Sequence, residues 1–330
     1  MTDTIKHIAI IGAGIAGLSC ATVLKQADLR VSIFDKSKGP AGRMSTRRGE
    51  SWECDHGAQY FTARDADFRA EVLRWESAGV AGIWRPRIKV FDGKSLKDSE
   101  SAPERFVGIP RMTSPARFIS DDLNLTCQTT IQEIQKSPDG WLLRSAERSW
   151  LVDHFDAVIL ALPAPQATTL LETQSTDFAA VAKCANMRGA WAMMLRYAAP
   201  LDLPFDAVFV NDEPLRWLAR NSSKPGRGGD ETWLLHANAE WSEAHLEDEA
   251  DSVANVLLAA FARLGGPAPQ AWSVHRWRYA DTEPALEVGF LWNDITGIGL
   301  CGDWLNGGKV QGAWVSGREL GQRVVQTLAR

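Results

Sequence analysis

Residues 7 to 24 read HIAIIGAGIAGLSCATVL, with glycines at Gly12, Gly14 and Gly17. His7 to Ile11 has the unbroken apolar character of a strand buried on both faces of a parallel sheet. Gly12 then permits a tight turn, Gly14 lets the main chain approach a pyrophosphate, and Gly17 lets the following helix close on the sheet. The anion site is the helix start, at Ile15 and Ala16. Leu18, Ala21 and Leu24 recur at helical spacing. A second strand, Val31 to Phe34, delivers Asp35, followed by Lys36. The acid stands near the ~20-residue offset at which a carboxylate holds the hydroxyls of an unphosphorylated ribose. NADP is disfavoured, leaving FAD or NAD. GIGLCG at 297 to 302 also fits GxGxxG, but no apolar strand precedes it and DWLNGGK follows it, so the chain has one nucleotide-binding unit.

A chain of 330 residues suggests about two domains. Its net charge of −5 gives no global basic field for a nucleic acid polymer or an anionic membrane. No apolar stretch reaches the ~18 residues of a membrane span, and MTDTIKH runs straight into a strand without room for a signal peptide. A cytoplasmic location is expected. The five cysteines (20, 54, 127, 184 and 301) are scattered, with no CxxC and no metal-ligand spacing, and are expected to be buried and reduced. Most of the fourteen tryptophans must fill cores, though a few could line a pocket for a flat aromatic ligand.

Beyond Asp35, the loop KSKGPAGRMSTRR presents Gly42, Arg43 and Met44, and the Arg43 fork suits a pyrophosphate. WECDHGAQYFTARD places Asp55, Gly57, Ala58, Gln59 and Tyr60 at the end of a short strand, where Gly57 lets main chain lie flat against a ring. A strand-like run covers Leu125 to Ile134, and 137 to 141 reads as a hairpin turn. The strand HFDAVILALPAP follows, with Ala161 near its end. GAWAMMLRY, PLRWLARNSS and ETWLLHAN then alternate like half-buried antiparallel strands of a second domain. Residues 224 to 231 read as a flexible connection. Ser242 is the expected N-cap of a helix reaching about Leu264, and HRWRYA is the expected last strand.

The return is informative. A strand ends at CGDW, NGGK intervenes, and a terminal helix begins at about Gln311. NAD would not need a second helix start. A flavin has a ribityl chain suited to Asp303 and a ring edge that becomes negative on reduction, which a helix start at Gln311, Gly312 and Ala313 suits. The reading resolves toward FAD.

GAGIAGLS, DK with a downstream GR, DHGAQYFTARD, WLARN with SKP, TWLLHA, HRW, and CGDW with GAW together resemble the bacterial branch of the renalase family. The resemblance implies an α/β fold like that of the amine oxidases and hydroxybenzoate hydroxylase. A Rossmann-type FAD domain (1–84, 105–165 and 290–330) would carry a mainly antiparallel substrate domain (85–104 and 166–289). It implies noncovalent FAD held by Gly12, Gly14, Gly17, Asp35, Gly42 and Arg43, with Ile131 meeting adenine through its backbone. Gly57 to Tyr60, Asp303 and residues 311 to 313 would border the flavin. The implied activity is oxidation of 2- and 6-dihydro isomers of NAD(P), with oxygen reduced to hydrogen peroxide. Ala41 and Leu162 depart from the glycine and threonine common at those places in such flavoproteins.

Hydride transfer to a flavin needs orientation more than an acid or base. Tyr60, His236, Trp277 and Asn221 are the residues expected to build the slot. An amine oxidase is the rival enzyme, poorly matched by a chain whose only tyrosines are Tyr60, Tyr197 and Tyr279. A non-catalytic FAD-binding protein is the other alternative.

Overall fold

The computed structural model describes residues 6–100 and 103–328; the MTDTI start, where a leader was considered, lies outside them. Strand His7–Ile11 pairs in parallel with Arg30–Phe34 on one side and Ala157–Leu160 on the other. Its period of two divides the core between the sheet's faces. Ile8 and Ile10 lie in one cluster with Leu18, Ala21 and Leu24 of the head helix, Ile15–Gln26. Ala9 and Ile11 lie in another, with Leu170, Leu171 and Ala179. The sheet runs in the order 291–293, 298–300, 157–160, 7–11, 30–34, 125–126, parallel except for its first strand. GIGLCG therefore contains the sheet strand Ile298–Leu300 and is followed by a 3-10 turn, Asp303–Leu305, rather than directly by an α-helix.

The tail helix, Val310–Leu328, lies against the head helix. A Cβ on Gly317 would collide with the Ala16 carbonyl, and one on Gly321 would stand 3.0 Å from the Cys20 carbonyl. Only side-chain-free positions allow so close a crossing. Ser19 Oγ bonds the Trp314 carbonyl at 2.8 Å across the seam.

A seven-stranded sheet, in the order 271–282, 187–197, 231–237, 215–220, 207–212, 88–91, 96–98, forms the second layer. It is antiparallel except where 88–91 joins 207–212. Val253, Leu257 and Phe261 of helix Ala250–Arg263 cover one face, over Trp191, Leu195 and Trp233. Ala192, Met194 and Leu234 face the other way, toward Cys54 and Trp277. The strands expected to be half-buried are therefore covered on both faces.

Several local expectations are corrected. The Ser242 to Leu264 helix is two helices, Ala239–Ala244 and Ala250–Arg263. Asn238 caps the first, accepting from Trp241 N, while Ser242 Oγ accepts from Trp191 N. Apolar spacing continues across the break, so periodicity could not reveal it. The Leu125 to Ile134 run divides at Gln128, whose φ of 52° turns the chain; Leu125–Thr126 ends the parallel sheet, and Ile131–Ser137 begins a three-stranded one. Helices Ala164–Leu171 and Thr176–Lys183, lying almost wholly beyond the expected boundary at 165, pack under the parallel sheet. Cys20, Cys54 and Cys301 are buried, but Cys184 is exposed. Among the described residues no helix is long and apolar enough to cross a membrane.

Candidate functional site

The glycine turn is shaped by its neighbours. Gly12 has φ +109°, and a Cβ there would collide with the Ala161 carbonyl; one on Gly17 would collide with the Gly12 carbonyl. A Cβ on Gly14 would meet nothing within 4 Å, so this bend of main chain is open. Gly14 is the N-cap of the head helix without a side-chain cap, and no acid occupies the first turn. The amides at Ile15 and Ala16 thus form an uncapped helix start, the setting that favours an anion. Asp35 closes the cradle: Oδ2 accepts from Ala13 N and Oδ1 from Ser37 N, both at 2.7 Å. Lys36 is exposed beside it.

Backbone bonds lace the next segments to this turn. Ala41 N donates to Ala13 O at 3.0 Å, and Ala58 N to Arg43 O at 2.9 Å. Gly42 opens a short 3-10 turn, and Met44 lies 3% exposed in the core beneath it. Ala41, the departure from glycine, has φ +115°. L side chains rarely adopt that conformation, at a cost of about 1–2 kcal/mol. Ala41→Gly is therefore expected to stabilise the protein by about 1 kcal/mol, read as a higher denaturant midpoint; an unchanged midpoint would contradict the strain.

Head and tail meet through Arg43. Its guanidinium is bidentate on Asp303, with one bond at 2.9 Å, and also reaches the Ala280 carbonyl at 3.2 Å. Asp303 opens the turn before the tail helix and is 6% exposed. A Cβ on Gly312 would collide with the Asn306 carbonyl, which fixes the helix entry. Gln311 Oε1 accepts from Arg64 N and Asp65 N, while Ala313 N bonds Lys309 O. Ile131 is the buried first residue of its strand, and Ala161 N is bonded to Ile11 O.

The large sheet covers the segment from His56 to Tyr60. His236 Nε2 and Trp277 Nε1 both approach the His56 carbonyl, at 3.1 and 3.0 Å, and Trp277 stacks on the His56 ring at 5.1 Å. Trp277 also lies 3.4 Å from where a Gly57 Cβ would be. Burial pushes both His56 and His236 down to about 3, helped by His275 and Arg47 for the first and by Arg216 for the second. Both rings are neutral at ordinary pH. Tyr60 lies 5.7 Å from Trp217 and 6.4 Å from Trp84, ring centre to ring centre. Asn221 stands apart in character: it is 1% exposed, its Oδ1 accepts from Asp55 N, and its Nδ2 donates to Glu53 O. Its amide binds the edge of a short strand.

Sequence reasoning missed two groups. Trp217, the cross-strand partner of His236, has a buried indole Nε1 with no hydrogen-bond partner among the described residues; it opens the WLARN block, which was the available signal. The loop 224–231, expected to be flexible, is anchored by Lys224 and Arg227. Their side chains are 0% and 1% exposed, and both bind Asp55 Oδ2, at 3.1 and 2.6 Å. Asp55 Oδ1 accepts from Thr46 Oγ1 and Met112 N. Burial alone would raise the Asp55 carboxyl, but Lys224 and Arg227 outweigh it and hold the group well below the usual carboxylate range.

A family model described as an NAD(P)-binding Rossmann-like domain matches residues 10–73. The protein resembles a protein from an Exiguobacterium species assigned as a protoporphyrinogen oxidase, with TM-score 0.80 and 11% identity over 99% of this chain and 100% of that one. The chain has the Rossmann-like FAD-binding fold of the amine oxidases. Cyclohexylamine oxidase from Brevibacterium oxydans superposes on the same share of both chains, with TM-score 0.75 and 12% identity. In sequence, the bifunctional protein of tRNA 5-methylaminomethyl-2-thiouridine biosynthesis from Magnetococcus marinus is 26% identical over 201 residues, 48% of this chain. That match covers 30% of the Magnetococcus protein, so the chain spans under a third of it. The FAD-binding fold and the donor set agree: open main chain at Gly14, an uncapped helix start, an acid beside it and a second helix start beyond Asp303 suit a ribose, a pyrophosphate and a flavin.

Proposed function

We propose that the protein is a FAD-dependent oxidase of isomeric dihydronicotinamide dinucleotides, the 2- and 6-dihydro forms of NAD(P), yielding NAD(P)+ and hydrogen peroxide. The observation that carries this reading is the pairing of neutral His236 and Trp277 on one main-chain carbonyl beside Gly57. It supports a fixed, flat, uncharged wall against which a planar ring can lie. When bound here, FAD would supply the hydride acceptor, with molecular oxygen and two protons as the final acceptors of the electron pair. Gly12, Gly14, Ile15, Ala16, Gly17, Asp35 and Lys36 would hold the ADP half, with Gly42, Arg43 and Met44 beside the pyrophosphate and Ile131 and Ala161 at its margin. Gly57, Ala58, Gln59, Tyr60, Asp303, Gln311, Gly312 and Ala313 would border the ring system, noncovalently. Tyr60, His236 and Trp277 orient the substrate ring; Asn221 acts on the strand beneath it.

Amine oxidation is the second reading, favoured by the fold likeness to cyclohexylamine oxidase. Against it, Tyr197 donates its hydroxyl to Pro267 O within the outer core of the sheet, which takes it out of any aromatic pair with Tyr60. Anaerobic stopped-flow absorbance decides between them. The FAD-loaded protein is expected to bleach faster with 6-dihydro-NAD(P) than with NADH or any monoamine. Faster bleaching by benzylamine-type donors would overturn the assignment, and slow bleaching by every donor would leave a binding protein.

A further inference from the structure

Two buried cations share one carboxylate beneath the His56 to Tyr60 segment. Lys224 and Arg227 converge on Asp55, and Glu53, two residues before it on the same strand, is paired with Arg111. Lys224 Nζ also bonds the Gln59 amide oxygen at 3.1 Å and stands 5.6 Å from the Trp84 ring, neither of which carries a charge. Gln59 is itself buried, and its Nε2 donates to the carbonyls of Asp55 at 2.7 Å and Gly57 at 3.0 Å. Among the described residues Asp55 is the one acid in ion-pair contact with these two cations, which leaves a net positive charge a single hydrogen-bonded residue away from Gly57. Charges so placed are costly, and apolar residues would fill such a volume at no electrostatic penalty.

We infer that Lys224 is a positioning residue that holds Gln59 against the Gly57 carbonyl and, with Arg227, leaves a buried positive charge that favours electron acceptance by FAD bound along this segment. The inference rests on the FAD reading above. Interior charge is weakly screened, and at an effective dielectric of ~20 a unit charge roughly 10 Å away changes an equilibrium by about an order of magnitude. The effect falls on the potential of the cofactor rather than on its retention, because the ADP half is held at the other end of the cradle.

Sulfite tests this apart from turnover, since it adds reversibly to oxidised flavins and bleaches them in proportion to how readily they accept electrons. Lys224→Met in the FAD-loaded protein is expected to weaken sulfite binding about tenfold and to lower the reduction potential. FAD affinity should stay within a few-fold of the parent. Lys224→Arg, which keeps the charge, should recover most of the sulfite affinity. Arg227→Met removes the other cation from the same carboxylate, shifts sulfite binding in the same direction, and serves if Lys224→Met does not fold. Sulfite affinity within twofold of the parent in both methionine variants would overturn the inference while leaving the proposed function standing. A preparation that takes up no FAD would defeat the proposed function itself.

Discussion

Asp35→Ala is expected to lower FAD affinity about a hundredfold. The two oxygens of Asp35 each accept one backbone N–H, from Ala13 and Ser37, and each keeps a lone pair for a ribose hydroxyl. Charge-assisted bonds of this kind contribute about 1.5–3 kcal/mol each, and 1.4 kcal/mol is a factor of ten. The substitution also releases Ala13, whose carbonyl accepts from Ala41 N, so the turn and the Arg43 loop loosen together. Asp35→Asn keeps one acceptor oxygen and should fall between the two. Retention is read from the flavin fluorescence that appears on dilution. Affinity within threefold of the parent would show that the acid does not face the ribose.

The second large effect concerns stability. Asp55→Leu is expected to destabilise the fold by about 3–5 kcal/mol, because it strands two buried cations. The same ion cluster sets a pH dependence. The folded carboxyl titrates well below the unfolded value of ~3.9, so its contribution is fully present above that value and is lost as pH falls through the folded value. Acid unfolding of the parent should therefore steepen below about pH 4, and Asp55→Leu should remove that component. Chemical denaturation at pH 7 and at pH 3 checks both statements. Equal stability of parent and variant at pH 7 would mean that the cluster is not closed as described.

The parallel half of the molecule was legible because its signals are local. Gly12, Gly14, Gly17 and Asp35 lie within one short stretch, and the close approaches at Gly12 and Gly17 are steric reasons that a sequence pattern encodes directly. The tail helix and the turn at Asp303 were readable for the same cause. What the sequence hid was made by distant partners. Lys224 looks like a solvated loop cation until Asp55, 169 positions away, is placed against it. Asn221 looked like a slot residue because nothing local shows that its amide is committed to the strand at Glu53 and Asp55. The break between the helices at 244 and 250 was masked by apolar spacing that continues through it. His236 and Trp277 are brought together by the His56 carbonyl, a main-chain atom that no sequence pattern reveals.

The seam at Gly317 and Gly321 bears on how this chain is made. The head helix is completed by a helix that follows it far along the chain, with Ser19 and Trp314 295 positions apart, so the glycine turn lacks its packing partner until the tail helix has been made. Even the single methyl of an alanine at Gly317 would meet the Ala16 carbonyl and keep the two helices from docking at their present distance.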